Sequence, residues 1–594
     1  MGLGVRIVRF GAKFLALSVG LISVVSVFAV VPAAQAAQTP PPWTCGFLNG
    51  LEPANPPAQL HAGHIDIFGT RLVAVGDHID WNQNSNLTIR LNLQSLKWLE
   101  PLLTSGTADD LALAQSIIQQ WAVDNPADAP ADPYGWTEHA VGLRATTLAC
   151  MREVVGSQVW LDTIIAQHVS WLADDHHYAG AWNQGLTEDV GLVGAACSIG
   201  DLTGIAHGQA RAQASVAVVV DAQGLVNDQA VRYQNYVFQI LIGLRYALLA
   251  CSPTELPTVF NRVDLMPAVT AQMVQPDGSF CALGDTDGTP SDSDRSPMDY
   301  VTSFGTVGTP PLTRYGVYPG GFAFAHSGWG LTRDFGSEDL LTLRFGPGRI
   351  IHGHNDHTSI TTFGRGQPLL VDSGFGGYDS GAMRDYLRSA QAHNMTVVPG
   401  LTYRWAQTTT LVAQRITSVD ETFVVSDSPY SGVSRRRTVF ASHDVPVTVV
   451  VDHSSSTTTR TFNQLWHISP NFSVKATSAY GVRYLSKSGG TSLSVSAIPW
   501  PGRTRARIST TSGQTNPYQG WVAAHSVMVP APVTTFASVG RSQQQVMLSI
   551  SSRPGAKISW TMKPFGRSVN QLRVRIDGRP ITLNISASGW ISRL

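Results

Sequence analysis

Gln158–Leu172 reads Q-V-W-L-D-T-I-I-A-Q-H-V-S-W-L. Leu161, Ile164, Ile165, Val169 and Leu172 recur at the spacing that gathers side chains on one face of an α-helix. The same period returns from Tyr233 onward in Tyr236, Val237, Ile240, Leu244 and Leu248. Between roughly residues 95 and 270 helical segments follow one another with no strand-like run between them, which predicts an all-α domain. Beyond about residue 320 the period shortens to two: Leu493, Val495 and Ala497; Val546, Leu548 and Ile550; Ile581, Leu583 and Ile585. Gly, Pro, Ser and Asn separate these runs, so the second half reads as antiparallel sheets. The boundary falls within 281–311, where Gly, Asp, Ser, Thr and Pro accumulate and no periodicity holds. The expected organisation is a 1–36 signal peptide, an N-terminal extended segment over 37–94, a helical domain over 95–300 and an antiparallel β-sandwich over 301–594.

A chain of 594 residues, 43% hydrophobic and 14% charged, buries more than one core and is no disordered polyelectrolyte. Residues 431–594 carry 19 Lys and Arg against Asp444, Asp452 and Asp577, a net +16 that the acidic remainder cancels. This polarity suits the second half to an anionic surface or polymer. Arg435-Arg436-Arg437 is the densest basic run, read first as a solvated face. Nucleic-acid binding is disfavoured, because no recognition motif accompanies the charge. Arg6, Arg9 and Lys13 precede an apolar run from Phe14 to Val31, and Ala34-Gln35-Ala36 offers a small-x-small cleavage pattern. A secreted or extracytoplasmic protein, with no stable membrane span after cleavage, is therefore expected. Export permits disulfides, yet Cys45, Cys150, Cys197, Cys251 and Cys281 are too few for a disulfide scaffold, and one thiol has no intramolecular partner. Cys150, Cys197 and Cys251 stand in small apolar helical contexts that suit buried residues without redox or metal roles.

Potential ligands concentrate in Ile351-His352-Gly353-His354-Asn355-Asp356-His357, then Leu370-Val371-Asp372-Ser373-Gly374, then Gln391-Ala392-His393-Asn394. In an extended strand His352 and His354 would point to one side and address one site. Two imidazoles and a carboxylate from separate segments satisfy the preferences of zinc, and spacing alone equally allows histidines that hydrogen-bond loops.

The run from His352 to Val398, H-G-H-N-D-H, then L-L-V-D-S-G, then Y-L-R-S-A-Q-A-H-N-M-T-V-V, resembles the central signature of the heparinase II/III-like polysaccharide lyases. That resemblance implies an (α/α) toroid followed by antiparallel β-sheets, and β-elimination on a uronate-containing acidic polysaccharide or oligosaccharide. Elimination requires donors that neutralise the uronate carboxylate, a base for the C5 proton and an acid for the departing O4. The matching positions are Asn183 and Gln184, Tyr233 and His352, with Tyr233 as acid and base and the other three facing the carboxylate. Gln184 stands where the family has His, and an amide donates a hydrogen bond but cannot act as a base. A phenol works in both roles only when cations lower its pKa, for which Arg232 and His352 are placed. His176 and His177 read as a solvated pair at a helix end, an alternative base if one is needed. Arg388 and Tyr236 are expected at the substrate, although Tyr236 also fits core packing. His354, Asp372 and His393 match the family's structural zinc triad. Asp285, in Ala282-Leu283-Gly284-Asp285-Thr286-Asp287, resembles a further family stretch and is read as loop structure. The competing functions are a non-catalytic carbohydrate-binding protein on the same scaffold, motivated by Gln184, and a glycoside hydrolase, for which adjacent Glu188 and Asp189 diverge too far to pair.

Overall fold

The computed structural model describes residues 55–74, 78–288, 297–378, 380–524 and 527–594, so the signal-peptide reading of 1–36 lies outside the described residues. Within the stretch read as an extended N-terminal segment, the described part holds the helices Pro57–His61 and Leu87–Gln94 and a hairpin pairing His64–Ile67 with Thr70–Val73. Helices then continue to Met298–Thr302, and the first strand of the β half is Tyr315–Tyr318. No described helix is long and apolar enough to cross a membrane.

The predicted apolar stripes are where the helices bury themselves. Leu161, Ile164, Ile165, Val169 and Leu172 are all buried in the helix Val159–Leu172, and Val237, Leu244 and Leu248 in Val231–Cys251. The helix Asn183–Ile199 packs against Glu138–Val155, Val159–Leu172, Leu202–Val219 and Val231–Cys251, which makes it the hub of the helical half. Its first turn comes close to the preceding chain: a Cβ on Gly185 would lie 2.0 Å from the Gly180 carbonyl oxygen, so only glycine fits there. Cys197 and Cys251 form a disulfide between the ends of two of these helices, Cys150 is disulfide-bonded as well, and Cys281 is a buried free thiol. Cys150 is buried as expected, whereas Cys197 and Cys251 are half-buried, and helix packing brings their α-carbons to 5.6 Å, within bonding range.

The β half stacks three antiparallel sheets. Five strands from Tyr315 to Leu370 form the first; a ten-stranded sheet built around the long strands Val447–His467 and Val533–Ser552 forms the second; four strands from Ile558 to Arg593 form the third. Leu493 and Val495 face the core shared with the five-stranded sheet, whereas Val546, Leu548 and Ile550 face the core shared with the four-stranded sheet. The two faces of one sheet therefore serve two apolar layers, as the period-two pattern requires. Phe322, Phe324 and Leu340 turn instead toward Val269, Met273 and Val301, which joins the sheets to the end of the helical half.

Candidate active site

Helical and β halves meet where the helix Val231–Cys251 begins. Val231 N–H donates to the Leu283 carbonyl and Arg232 N–H to the Thr286 hydroxyl, so the first helical turn docks on the 281–287 segment. Gly284 adopts φ +63°, and a Cβ there would meet the carbonyl oxygens of Gln229 at 2.5 Å and His352 at 2.8 Å. Gln229 completes the joint: its amide nitrogen donates to the carbonyls of Pro347 and Gly348, and its amide oxygen accepts from Ile350 N–H. These contacts hold the connection between the strands Leu340–Arg344 and Ile360–Gly364 against the helix. That connection is a loop, so the expectation of an extended strand through His352 and His354 is corrected.

The loop sends its two histidines to one carboxylate. Asp285 Oδ2 faces His352 Nδ1 at 3.3 Å, Asp285 Oδ1 faces His354 Nε2 at 2.9 Å, and Arg384 donates to both oxygens at 2.6 and 2.7 Å. Burial alone would raise the Asp285 pKa, but the bonds from His352, His354 and Arg384 hold it far below the ordinary carboxylate range. Asp285 is therefore the hub of the site and not merely loop structure.

Beyond Asp285 the two histidines part. The His352 ring stacks on Tyr233 with centroids 3.6 Å apart and planes inclined by 14°. Tyr233 and Tyr378 share a hydrogen bond between hydroxyls, and Tyr236 meets Tyr233 edge-on at 5.8 Å. The expected lowering of the Tyr233 pKa is not found: burial, with Tyr378 adding, pushes the phenol well above its usual value. Arg232 is drawn away from it to Asp287 at 2.6 Å. Asp228, buried behind His352, is raised to about 6 by burial, which the His352 charge partly opposes.

Asn183 is buried in the first turn of its helix, and Gln184 beside it is exposed. Tyr236 lies within reach of Thr187 one turn on, which ties this helix start to the Tyr233 helix. His177 stacks on Trp171 at 4.0 Å and 3°, so one member of the expected solvated pair is packed while His176 stays exposed. Arg388 donates to the Ile351 carbonyl at 3.3 Å and keeps a buried Nε with no partner. Burial, then the charges of Arg388 and Arg384, depress the pKa of Arg349, which places three guanidiniums around the histidine loop. Arg384 already forks onto Asp285, which leaves Arg349 and Arg388 as the guanidiniums that can meet a carboxylate or sulfate.

On the other side of Asp285, His354, Asp372 and His393 are all buried, and one ligand atom from each lies within 4.8 Å of the others. Asp372 accepts from His393 Nδ1 at 2.8 Å and from Gly374 N–H at 3.2 Å. His354 Nδ1 and His393 Nε2 are buried without partners, an arrangement that costs free energy unless something accepts their lone pairs. Two imidazoles and a carboxylate, with Asp285 as an outer carboxylate on His354, fit a zinc-type centre.

Buried arginines brace this centre. Arg437 grips Asp452 through two bonds of 2.7 and 2.6 Å and donates to the Thr358 and Asn394 carbonyls. Arg435 does the same with Asp427 and the Thr396 carbonyl. Arg344 pairs with Asp356, both fully buried. The solvated-face reading of Arg435-Arg436-Arg437 is therefore corrected: these residues lie on the strand Val433–Ser442, whose pleat turns the first and third inward.

Residues 318–561 match the family model described as heparinase II/III-like, C-terminal. That stretch, less than half of the chain, is similar to the C-terminal domain of the family. The chain is similar in fold to a heparan sulfate lyase, HepC from Pedobacter heparinus, with TM-score 0.67 and 15% identity over 93% of this chain and 91% of that one. A crystal structure of heparinase III gives TM-score 0.70 at 14% identity, covering 88% and 86%. A Paenibacillus xanthan lyase gives 0.50 at 10%, covering 91% of this chain and 62% of that one. No curated protein sequence matches. At these identities the likeness is one of fold, a helical N-terminal region followed by sheets, and those neighbours are polysaccharide lyases. Sequence reading missed Asp285 as a hub and did not reach Gln229, Arg384 or Tyr378. For Asp285 the signal was present in its family-like stretch, whereas Tyr378 follows a Gly-rich segment that offers no periodicity.

Proposed function

We propose that this chain is an exported polysaccharide lyase that cleaves a uronate-containing acidic polysaccharide by β-elimination. The observation that carries the reading is the Tyr233–His352 stack set beside Arg349, Arg384 and Arg388, a proton-transfer pair next to a cation cluster. Asn183, Gln184 and His352 donate to the uronate carboxylate, which makes the C5 proton more acidic. Tyr233 as phenolate takes that proton, the C4–O4 bond breaks as the C4–C5 double bond forms, and the phenol returns the proton to O4. Burial raises the Tyr233 pKa, so the phenolate forms only when cationic groups come to its oxygen. Arg388 and Tyr236 border the sugar. His354, Asp372 and His393 would hold a structural zinc, which when bound would tie three segments of the β half together.

With Gln184 unable to take a proton, Tyr233 handles both transfers on one face of the ring. The enzyme is then selective for uronates whose H5 and O4 lie syn. The test is a panel of acidic polysaccharides containing either C5 epimer, read by the ultraviolet absorbance of the unsaturated uronate. Absorbance from one epimer class is expected. Binding without absorbance on any polymer supports the non-catalytic carbohydrate-binding alternative, and equal cleavage of both epimers places a second base opposite Tyr233.

A further inference from the structure

The pleat that turns Arg435 and Arg437 inward turns Arg436 to the other face of the ten-stranded sheet. There Arg436 stands opposite Ser426 on one neighbouring strand and His453 on the other, with Ser434 opposite Ser455. These residues floor a cavity of about 620 Å³ walled by Gln407, Thr408 and Thr410. A second cavity of about 470 Å³ shares Ser428, Ser434 and Ser455 with it and reaches Arg404 and Tyr430, so the two form one polar trough.

Charge in the trough is uncompensated. Asp427 is held by Arg435 on both oxygens, and Asp452 by Arg437. Arg436 keeps a buried Nε without a hydrogen-bond partner. Burial lowers the proton affinity of His453, and Arg436 and Arg503 lower it further against the pull of Asp452. Hydroxyls and amides around an unpaired guanidinium are the donors and acceptors that a hydrated, anionic sugar strand needs, and an apolar partner would leave them unsatisfied.

The trough also lies beside the candidate active site. Arg404, Gln407 and Thr408 flank Trp405, which is 52% exposed. On its other side Trp405 accepts Arg349 N–H on its carbonyl at 2.8 Å and holds the Arg349 guanidinium 5.4 Å from its ring centroid. Arg349 belongs to the cation cluster of the candidate active site.

We propose that the trough is an accessory binding site for an acidic polysaccharide strand that leaves the candidate active site, crosses Trp405 and lies over Arg436. The proposal rests on the acidic-polymer reading above but not on turnover. Its test measures binding by the Tyr233→Phe protein of long chains and of tetrasaccharides prepared from heparan sulfate, hyaluronan and alginate. Long chains are expected to bind more tightly, and Arg436→Gln to reduce that advantage by about three- to tenfold. Ser434→Glu, at an exposed position that adds a negative charge without touching the buried pairs, is expected to reduce it by about tenfold, with melting temperature as the folding control. An unchanged ratio of long-chain to tetrasaccharide affinity in both variants overturns the proposal, as does failure of all three chains to bind. A trough-dependent ratio in a protein whose wild type cleaves nothing would remove the lyase reading and leave the trough.

Discussion

Asp285 and Glu188 are both buried carboxylates, one at the seam between the two halves and one inside the helical half, and their electrostatics are opposite. Asp285 is surrounded by His352, His354 and Arg384 and stays ionised far below the usual range. Among the described residues Glu188 receives only long contacts of 3.3 and 3.4 Å from Ala179 N–H, and burial raises it to about 8. Its neighbour Asp189, bonded to Arg211 at 2.7 Å, still rises to about 7 through burial. Burial is common to all three, so the number and geometry of donors decide the sign. The seam surrounds its carboxylate with cationic donors, whereas in the helical interior burial outweighs the few donors and raises both carboxyls.

The largest expected effect tests whether the seam is where chemistry happens. Tyr233→Phe removes one hydroxyl and keeps the ring stacked on His352, so turnover should fall by at least about a hundredfold while the melting temperature changes little. Substantial residual absorbance in the elimination assay would pass the proton-transfer role to Tyr378 or another group.

Asp285→Asn should damage both stability and function, because it leaves half-buried Arg384 and two buried histidines without their anion. A loss of about 3 kcal/mol or more is expected from denaturant unfolding at neutral pH. The depressed pKa sets the sign of the pH dependence: the Asp285 contribution is complete above the unfolded carboxylate value of 3.8 and disappears as pH falls below it. Wild type and variant should therefore converge on acidification, and a stability gap independent of pH would count against Asp285 as an ionised hub.

Chelation addresses the inner face of the same hub. Elemental analysis of the purified protein should give one zinc per chain, and a strong chelator should lower the melting temperature by several degrees, an effect absent in His393→Ala. Absence of stoichiometric metal, with melting unaffected by chelator, would leave His354 and His393 as hydrogen-bonding groups only.

Much of this was legible in the sequence because periodicity reports burial. The stripes at Leu161–Leu172 and Val546–Ile550 lie where the cores are, and the His-Asp-His set meets in space because its family-like motifs keep their residue types. What was not legible depends on partners distant in sequence. Asp285 gains its role from residues 67, 69 and 99 positions away, and its family-like stretch marks the carboxylate but not those partners. Arg435 and Arg437 look like surface charge until the strand pleat and the acids at 427 and 452 are known. The helix that begins near Tyr233 is legible from its apolar period, but the surroundings of the phenol are not: Arg232 turns to Asp287, and Tyr378 arrives from a Gly-rich segment.

The smallest expected effect has the opposite sign and sharpens the contrast with Asp285. Between the ordinary glutamate value of 4.5 and about 8, folded Glu188 retains a proton that the unfolded chain has released. The folded state binds more protons in that window, so stability contributed by this site falls as pH rises through it. Glu188→Gln keeps the shape of the protonated acid and cannot ionise, which removes the penalty. The variant should melt close to wild type near pH 5 and roughly a few degrees above it near pH 8, by calorimetry or circular dichroism. Arg211, which already holds Asp189 and lowers Glu188 by its charge, limits the gain, and so does partial relaxation around an ionised carboxylate. A variant that is destabilised equally at both pH values would mean that the Ala179 contacts, weak as their lengths are, hold Glu188 as an anion and that the helical interior follows the same rule as the seam.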